Sequence, residues 1–278
     1  MKNILVFGQG FLGYILAEQL GGSITPQDPN NLEYTRYLLD SDKPDIVINA
    51  IGKTGKPDID WCEKNKEDTM QSNVIAATNL AIECSRRNIY FVHFSSGCIY
   101  TDKYGQNNFS ENVDPNFYGG QYYGDTKILA EKIISKFPAL QIRLRMPICD
   151  YPHERNLIDK LKKYKKVADI KNSMTCIDDL IYALKILIEQ KALGIYNVVN
   201  DGAISPFEIM KMYERIVDNN HICEPIGRSD LNKITVGERS NCILSTQKLK
   251  ERGIMLPNIH KAVEKCLMQY KIKVENDN

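Results

Sequence analysis

Tyr123 and Lys127 have the YxxxK spacing inside a segment whose pattern predicts a helix. Residues four apart lie on one helical face, so the Lys127 ammonium can lie beside the Tyr123 phenol and favour its ionised form. A tyrosine tuned in this way can protonate the oxygen that forms when hydride reaches a carbonyl carbon. Ser96, which follows the apolar run at residues 89–94, can donate a hydrogen bond to the same oxygen. Together the three side chains favour the reduction of a carbonyl group.

A glycine-rich turn near the start of the sequence predicts a cofactor site. Gly8, Gly10 and Gly13 follow the apolar run 4–7 and open a helical pattern. Glycine lets the backbone approach a pyrophosphate, and the helix start supplies N–H groups and the positive end of a dipole. A carboxylate after the second strand usually holds the ribose of NAD, but the candidate Asp28 lies beyond a proline, which favours NADPH. The expected cofactor contacts are Gly8, Gly10, Phe11, Leu12, Gly13, Asn49, Ala50 and Lys127.

Strand-like and helical patterns alternate along the first half of the chain. This alternation predicts an α/β fold with a doubly wound parallel sheet of the Rossmann type. In such a sheet ligands bind beyond the carboxyl ends of the strands, which is where Ser96 and the glycine turn are expected. The strand-like runs are residues 4–7, 46–50, 89–94 and 142–144, and the clearest helical stretches are residues 69–87 and 122–136.

The pattern changes after Met146-Pro147, where the helical and strand-like pieces become shorter. We therefore expect residues 1–147 to form the dinucleotide-binding domain and residues 148–278 to form a smaller α/β substrate-binding lobe, with some segments crossing back. Ser205-Pro206-Phe207-Glu208 is a capping box and predicts a helix start. The polar tail from Lys271 is expected to fray. Further helices are expected at residues 156–163 and 177–190, and a strand at residues 194–199.

The composition argues against several classes of function. The formal net charge is +1 and 43% of the residues are hydrophobic, so the chain has no bulk field for nucleic acid or an anionic membrane. The eight cysteines form no CxxC pair and the four histidines are scattered, so we expect no metal site. The apolar runs are too short to span a membrane and no secretory segment is recognisable. We therefore expect a protein of the reducing cytoplasm.

Segments along nearly the whole chain resemble one enzyme family. The chain resembles the extended short-chain dehydrogenases/reductases. Within them it is similar to the bifunctional 3,5-epimerase/4-reductases that make nucleotide-activated L-rhamnose. The segments come in the family's order, although the turn has one residue fewer between its first two glycines. The matching segments are residues 52–57, 60–63, 96–99, 114–117, 143–148, 155–156, 172–175 and 239–241.

The resemblance implies a substrate, a cofactor and two more catalytic residues. The substrate is a nucleotide 4-keto-6-deoxyglucose on UDP or dTDP, with UDP the first choice, the cofactor is NADPH, and Cys98 and Lys160 carry the epimerisation. The hydrogens at C3 and C5 are acidic because each carbon adjoins the carbonyl, and inversion needs a base on one ring face and an acid on the other. A thiol and an amine can serve once the site retunes them. The expected substrate contacts are Thr54, Asn156, Asn172, Met174 and Arg239.

Two of the polar residues also have plainer interpretations. His93 lies in a strand pattern, where a buried and hydrogen-bonded core histidine is the ordinary outcome. Lys160 belongs to a lysine-rich run at residues 160–166, which is ordinarily a solvated helix face.

Several functions stay open on the sequence. A reductase acting alone would have no need of Cys98, and a non-catalytic NADP-binding regulatory subunit would have no need of Ser96, Tyr123 and Lys127. A 4,6-dehydratase usually has an Asp-Glu pair after the strand-end hydroxyl, where this chain has Gly97-Cys98. We therefore expect a separate 4,6-dehydratase to supply the keto sugar. The oligomeric state is also open, with a homodimer as one option.

Overall fold

The computed structural model describes residues 2–56, 58–102 and 108–276. Within them the chain folds into two compact units whose segments alternate along the sequence. The first unit comprises the residues up to Ile99, Pro115–Arg143 and Leu184–Tyr196, and the second comprises Tyr100–Asp114, Leu144–Ala183 and the residues from Asn197 onward.

Strands and helices follow one another throughout the described residues, and none of these helices is long and apolar enough to cross a membrane. The strands are β1 Ile4–Phe7, β2 Ser23–Thr25, β3 Ile46–Asn49, β4 Tyr90–Ser96, β5 Ala139–Leu144, β6 Pro147–Ile148, β7 Lys166–Ala168, β8 Thr175–Cys176, β9 Gly194–Asn197 and β10 Glu224–Ile226. The helices are α1 Phe11–Leu20, α2 Leu32–Asp42, α3 Asp60–Lys64, α4 Lys66–Met70, α5 Ala76–Arg86, α6 Tyr122–Ile134, α7 Leu157–Leu161, α8 Ile177–Glu189, α9 Pro206–Ile216, α10 Arg228–Ile234, α11 Gln247–Glu251 and α12 Ile259–Asn276.

The main sheet has six strands in the order β2-β1-β3-β4-β5-β9. β1 pairs in parallel with β2 and β3, and β3 pairs in parallel with β4. β1 therefore lies inside the sheet, with β2 on one side and β3 and the later strands on the other, which confirms the predicted doubly wound α/β fold. β1 and β3 are buried along their whole length, as expected of strands covered on both faces. The switch point between them is where such a sheet binds its ligand.

The turn between β1 and α1 requires glycine at two positions. Gly8 has φ +111°, and a Cβ there would lie 2.9 Å from backbone atoms of Ala50 and Ile51. A Cβ on Gly13 would lie 1.8 Å from the Gly8 carbonyl oxygen, so only glycine lets α1 pack directly on the turn. A Cβ on Gly10 would meet no described atom within 4 Å. The middle glycine therefore faces open space, whereas the outer two are needed for packing.

The second unit has its own core and an ordered C-terminal helix. The predicted capping box is present, since the Ser205 hydroxyl accepts from the Glu208 N–H at 3.0 Å and the Glu208 carboxylate accepts from the Ser205 N–H at 2.7 Å. The prediction that the tail frays from Lys271 is wrong for the described residues, because α12 continues to Asn276. Val274 packs against the core, and Lys273 Nζ lies 2.8 Å from the carboxylate of Asp150.

Gly13→Ala is expected to lower the free energy of unfolding by about 1–3 kcal/mol, because the new methyl overlaps the Gly8 carbonyl and the turn must move. Gly10→Ala is the matched control, since its φ of −89° suits alanine and its Cβ has room. Its stability should stay within about 1 kcal/mol of the wild type. Urea unfolding of both variants measures the difference. Equal losses in the two variants would contradict the packing role of Gly13.

Candidate functional site

Ser96 is the last residue of β4, and Cys98 follows it after one glycine. The Ser96 Oγ accepts a hydrogen bond from the Cys98 N–H at 3.0 Å, which holds the two residues in a tight turn. Ser96 is buried and Cys98 is half-buried. Because this bond uses a lone pair of the serine oxygen, the hydroxyl hydrogen can be donated to another acceptor.

Tyr123 and Lys127 lie one turn apart on α6, and their exposed fractions are 8% and 4%. Lys127 Nζ donates a hydrogen bond to the carbonyl oxygen of Phe94 on β4 at 3.0 Å. The YxxxK helix is thereby tied to the strand that ends at Ser96. The first unit brings the serine, tyrosine and lysine together on two adjoining elements.

The charge of Lys127 is finely balanced. Burial lowers the pKa of Lys127 to about 8, although attraction to Cys98 and to the Glu131 carboxyl group partly offsets this fall.

His93 also has a shifted pKa. Burial is the largest cause and the Lys127 charge the second, and together they hold the pKa of His93 well below its usual range. His93 Nδ1 lies 3.1 Å from the side-chain nitrogen of Asn49. His93 is therefore a neutral core histidine, as predicted, but only Nδ1 is hydrogen-bonded: the buried Nε2 has no partner among the described residues.

A buried ion pair joins α6 to the strands beside it. The Glu131 carboxylate accepts two hydrogen bonds from the Arg143 guanidinium, at 2.8 and 2.6 Å, and one from the Ser95 hydroxyl at 2.7 Å. Glu131 is 4% exposed and Arg143 is 1% exposed. Arg143 lies on β5, and Ser95 lies on β4 next to Ser96, so the pair fixes α6 against both strands. A bidentate pair with a further hydrogen bond is the geometry that offsets the cost of burying two charges.

Asn73 makes a second set of buried hydrogen bonds to α6, and the sequence did not predict it. It lies fully buried in a π-helical turn, Gln71–Ile75, between α4 and α5. Its side-chain oxygen accepts from the Lys53 N–H at 2.7 Å, and its nitrogen donates to Lys53 O at 3.2 Å and to Thr126 Oγ1 at 3.1 Å. Asn73 thus joins the loop after β3 to the residue before Lys127. Its signal in the sequence is a single polar residue on the apolar face of a predicted helix.

The start of α1 is suited to an anionic group. Gly10 is the N-cap, and within the described ranges no side chain caps this helix and no acidic residue lies in its first turn. The helix start therefore keeps its positive dipole end. Asn49 ends β3 on the other side of the switch point, and Ala50 follows it. The Asn49 side chain points inward and accepts from the Ile51 N–H at 3.0 Å, so it supports this loop. The contacts of these residues with a cofactor stay predictions.

In the second unit, the buried Arg145 is hydrogen-bonded to two of the segments expected to bind substrate. Its guanidinium donates to the Asn172 side-chain oxygen at 2.5 Å and to the Ser240 hydroxyl and carbonyl oxygens at 2.9 and 2.7 Å. The Asn172 oxygen also accepts from the Cys242 N–H at 3.0 Å. Arg239, next to Ser240, is half-buried. Asn172 and the segment that carries Arg239 are therefore held at one place.

The other expected substrate contacts have different surroundings. Thr54 is exposed in the loop after β3 of the first unit. Asn156 is fully buried as the N-cap of α7, and its amide group is hydrogen-bonded to the backbone of the preceding loop. Met174 is fully buried in the core of the second unit. The structure thus gives Asn156 and Met174 structural roles, and their contact with substrate stays a prediction.

Lys160 differs from the rest of its lysine-rich run. It is half-buried on α7, whereas the other lysines of the run are exposed: Lys162, Lys163, Lys165 and Lys166. Lys162 is paired with the Asp159 carboxylate at 2.8 Å. The run is therefore not a uniform solvated face, because Lys160 is partly covered by the protein while the other lysines are not.

A wide cleft of about 1030 Å³ lies at the opposite edge of the main sheet. Asp45, Asn88 and Leu193, which line it, precede β3, β4 and β9, so the cleft lies at the amino ends of these strands. Doubly wound sheets bind their ligands beyond the carboxyl ends. We therefore take the site at Ser96 and the glycine turn as the candidate active site.

The fold and this set of residues define a class of protein. A doubly wound sheet, a glycine turn at the switch point and a strand-end serine beside a YxxxK helix are features of the extended short-chain dehydrogenases/reductases. The chain belongs to the RmlD substrate binding domain family, whose model matches residues 1–272. Pro57, in one of the matching segments, lies outside the described residues.

Three known proteins illustrate the relationship. The chain is 32% identical to a bifunctional dTDP-4-dehydrorhamnose 3,5-epimerase/dTDP-4-dehydrorhamnose reductase of Arabidopsis thaliana, over 98% of this chain and 95% of the relative. The crystal structure of the L780 UDP-rhamnose synthase from Acanthamoeba polyphaga mimivirus matches with a TM-score of 0.90 and 27% identity, over 96% of this chain and 99% of that one. The fold is also that of dTDP-4-dehydrorhamnose reductase from Bacillus anthracis str. Ames in complex with NADP, with a TM-score of 0.81 and 20% identity over 96% and 99% of the two chains.

Glu131→Gln is expected to lower the free energy of unfolding by about 3–5 kcal/mol, because it leaves the Arg143 charge buried without its partner. Glu264→Gln is the matched control, since the Glu264–Arg215 pair is exposed and 3.6 Å apart. That change should cost at most about 1 kcal/mol. Equilibrium unfolding in urea measures both values. A Glu131→Gln variant as stable as Glu264→Gln would contradict the structural role of the buried pair.

Proposed function

We propose that the protein is a bifunctional 3,5-epimerase/4-reductase that converts a nucleotide 4-keto-6-deoxyglucose to nucleotide L-rhamnose with NADPH. The observation that carries the proposal is Cys98, a half-buried thiol in a tight turn with Ser96 and close enough to Lys127 to influence its pKa. A reductase needs only Ser96, Tyr123 and Lys127, whereas a thiol is needed when C3 and C5 are also inverted. The Arabidopsis relative, which has both activities in its name, supports this proposal.

We propose UDP as the nucleotide. The mimivirus protein, which aligns along nearly its whole length, is a UDP-rhamnose synthase. The Arabidopsis relative carries dTDP in its name, so dTDP is the alternative that a substrate comparison must test.

We propose NADPH as the cofactor, bound at the glycine turn. No side chain among the described residues caps the start of α1, and this helix start and the open space at Gly10 fit a pyrophosphate. Asp28, the residue that would favour NADH, accepts a hydrogen bond from the Asn30 N–H at 3.0 Å and so takes part in a local turn. The Bacillus anthracis protein of the same fold was solved with NADP.

The reduction follows from three side chains. NADPH, when bound, supplies the hydride that C4 receives. The Ser96 hydroxyl donates a hydrogen bond to the C4 oxygen, and the Tyr123 phenol gives this oxygen its proton as the alcohol forms. Lys127, one turn away and held by the Phe94 carbonyl, stabilises the phenolate that remains.

The epimerisation comes before the reduction, while C4 is still a carbonyl. Hydrogen bonds from Ser96 and Tyr123 to the C4 oxygen stabilise the enolate and so make the C3 and C5 hydrogens more acidic. The Cys98 thiolate removes a proton from one face of the ring and becomes the thiol, and the Lys160 ammonium returns a proton on the other face and becomes the amine. Proton exchange with solvent restores both groups before the second carbon inverts. Each carbon inverts because the proton leaves and returns on opposite faces.

The keto sugar must be made by another active site. Gly97-Cys98 stands where a 4,6-dehydratase usually has acidic residues, so we propose that a separate dehydratase supplies the substrate. The eight cysteines are all thiols rather than disulfides in the described residues, which suits the reducing cytoplasm that we propose as the compartment.

Epimerisation needs no hydride, so the wild-type protein without NADPH is expected to exchange the C3 and C5 hydrogens of the nucleotide 4-keto-6-deoxyglucose with D₂O. Cys98→Ala should lower this exchange by about 10²–10⁴-fold, because the base is removed. Tyr123→Phe should lose NADPH oxidation, because the phenol proton is needed after hydride transfer. It should lose only part of the exchange, because Ser96 still donates to the C4 oxygen and Cys98 is intact. Proton NMR follows the exchange, and with NADPH it identifies the product as L-rhamnose.

Cys223→Ala is the matched control for the exchange experiment, since this half-buried cysteine lies in the second unit on the segment before β10. Its exchange rate should equal that of the wild type. Wild-type exchange in Cys98→Ala would remove Cys98 as the base. If the wild type forms product without any exchange at C3 or C5, the protein is a reductase and not an epimerase.

The lowered pKa of Lys127 predicts a pH dependence of the reduction. Lys127 must be charged to stabilise the phenolate, and its pKa of about 8 means that this charge is lost as the pH rises through that value. The kcat/KM for NADPH, which reports groups of the free enzyme, should therefore fall above about pH 8. Lys127→Arg keeps its charge to about pH 12, so any activity that it retains should show this fall at higher pH. A flat wild-type profile from pH 7 to 10 is the outcome that contradicts the assignment.

A further inference from the structure

The helix that carries Lys160 is too short to hold its own position. α7 has five residues, Leu157–Leu161, and helices of this length are not stable in water by themselves. Its N-cap Asn156 donates two hydrogen bonds, to Cys149 O and Tyr151 O, each at 2.9 Å. These bonds fix where the helix begins. Its orientation must come from contacts farther along.

Asp159, next to Lys160, supplies those contacts. Its buried carboxylate accepts from the His153 N–H at 3.1 Å, from the Tyr270 hydroxyl at 2.8 Å and from Lys162 Nζ at 2.8 Å. Lys162 Nζ also lies 3.0 Å from the Tyr270 hydroxyl, which closes a ring of three side chains. Tyr270 is fully buried on α12. A carboxylate with three donors therefore ties α7 both to the loop before it and to the C-terminal helix.

α12 makes a second tie to the same loop. Lys273 Nζ lies 2.8 Å from the Asp150 carboxylate and 5.4 Å from the centre of the Tyr151 ring. One turn apart on α12, Tyr270 and Lys273 thus hold both α7 and the chain that leads into it. Lys162 is part of the ring of three side chains because it is paired with Asp159. Its role is therefore different from the one proposed for Lys160.

We propose that Asp159 and Tyr270 are positioning residues for Lys160, and that they serve the epimerisation but not the hydride step. This inference rests on the function proposed above, in which Lys160 returns protons to C3 and C5. The residues of the hydride step are held by β4 and α6 of the first unit. The Asp159–Tyr270 contact lies wholly within the second unit, so its loss displaces Lys160 and leaves Ser96, Tyr123 and Lys127 in place.

Two assays on full-length variants separate the steps. The first follows hydrogen exchange from D₂O at C3 and C5 of the nucleotide 4-keto-6-deoxyglucose, together with net inversion, without NADPH. The second follows NADPH oxidation with the nucleotide 4-keto-L-rhamnose, which is already inverted. Tyr270→Phe and Asp159→Asn should lower net inversion by about 10- to 100-fold, because a displaced acid transfers its proton poorly. Both should keep wild-type kcat and KM in the second assay.

Tyr213→Phe is the matched control. Tyr213 is a buried tyrosine of the same core on α9, with its ring centre 6.2 Å from that of Tyr270. In the part of the chain that the structure describes, its hydroxyl makes no hydrogen bond to α7, so both assays should give wild-type values.

The outcomes are distinct. If the wild type inverts the sugar and Tyr270→Phe inverts it at the same rate as Tyr213→Phe, the positioning role is wrong. If Tyr270→Phe and Asp159→Asn lose inversion and reduction in parallel, their role is general stability, and the inference also fails. If the wild type itself neither exchanges nor inverts, the proposed epimerase function is overturned, and the positioning of Lys160 for it is overturned too.

Discussion

The first unit depends on two charges that cannot reach water. Glu131 and Arg143 are buried between α6, β4 and β5, and either charge alone would cost several kcal/mol. They are tolerated only in the bidentate geometry that the three elements create together. Because the carboxylate also accepts from Ser95, any slip of α6 along the strands breaks bonds to a charged group. The spacing between the strand-end serine and the YxxxK helix is therefore enforced by electrostatics as well as by apolar packing.

The same desolvation that makes the ion pair necessary also tunes the nearby lysine. Lys127 is buried without a carboxylate in direct contact among the described residues, and it bonds to the neutral carbonyl of Phe94. The Glu131 charge, one turn away and already shared with Arg143, offsets the desolvation only in part. The result is an amine that changes charge near physiological pH, whereas a lysine on the surface would stay charged.

The alternation of strand-like and helical patterns predicted the doubly wound sheet, and the other features predicted from the sequence were local ones. The glycine turn, the YxxxK pair and the capping box at Ser205 each depend on spacing within one turn or loop, and short spacings are visible in a sequence. The pairing of Glu131 with Arg143 could not be predicted, because the two residues lie on different elements and no pattern joins them. A charged residue inside the apolar strand 139–144 was the available hint, since a buried charge must have a partner.

The prediction for the C-terminal tail failed for a related reason. Its composition is polar, and polarity alone suggests fraying. The order of α12 comes from Val274 on the core and Lys273 on Asp150, contacts with partners far away in the chain. Lys160 could be identified only through the family resemblance, because its half-burial within a lysine run cannot be seen in the sequence.

The alternation of the two units along the chain has a consequence for biosynthesis. β9 pairs with β5 in the main sheet but is translated about 50 residues later, after residues 144–183 of the second unit. Until the ribosome has passed residue 197, β5 is an uncovered edge of the growing sheet, and such edges recruit other strands. The nascent chain is therefore exposed to aggregation for longer than a chain of two consecutive domains would be. A fragment cut at residue 147 would carry this open edge permanently.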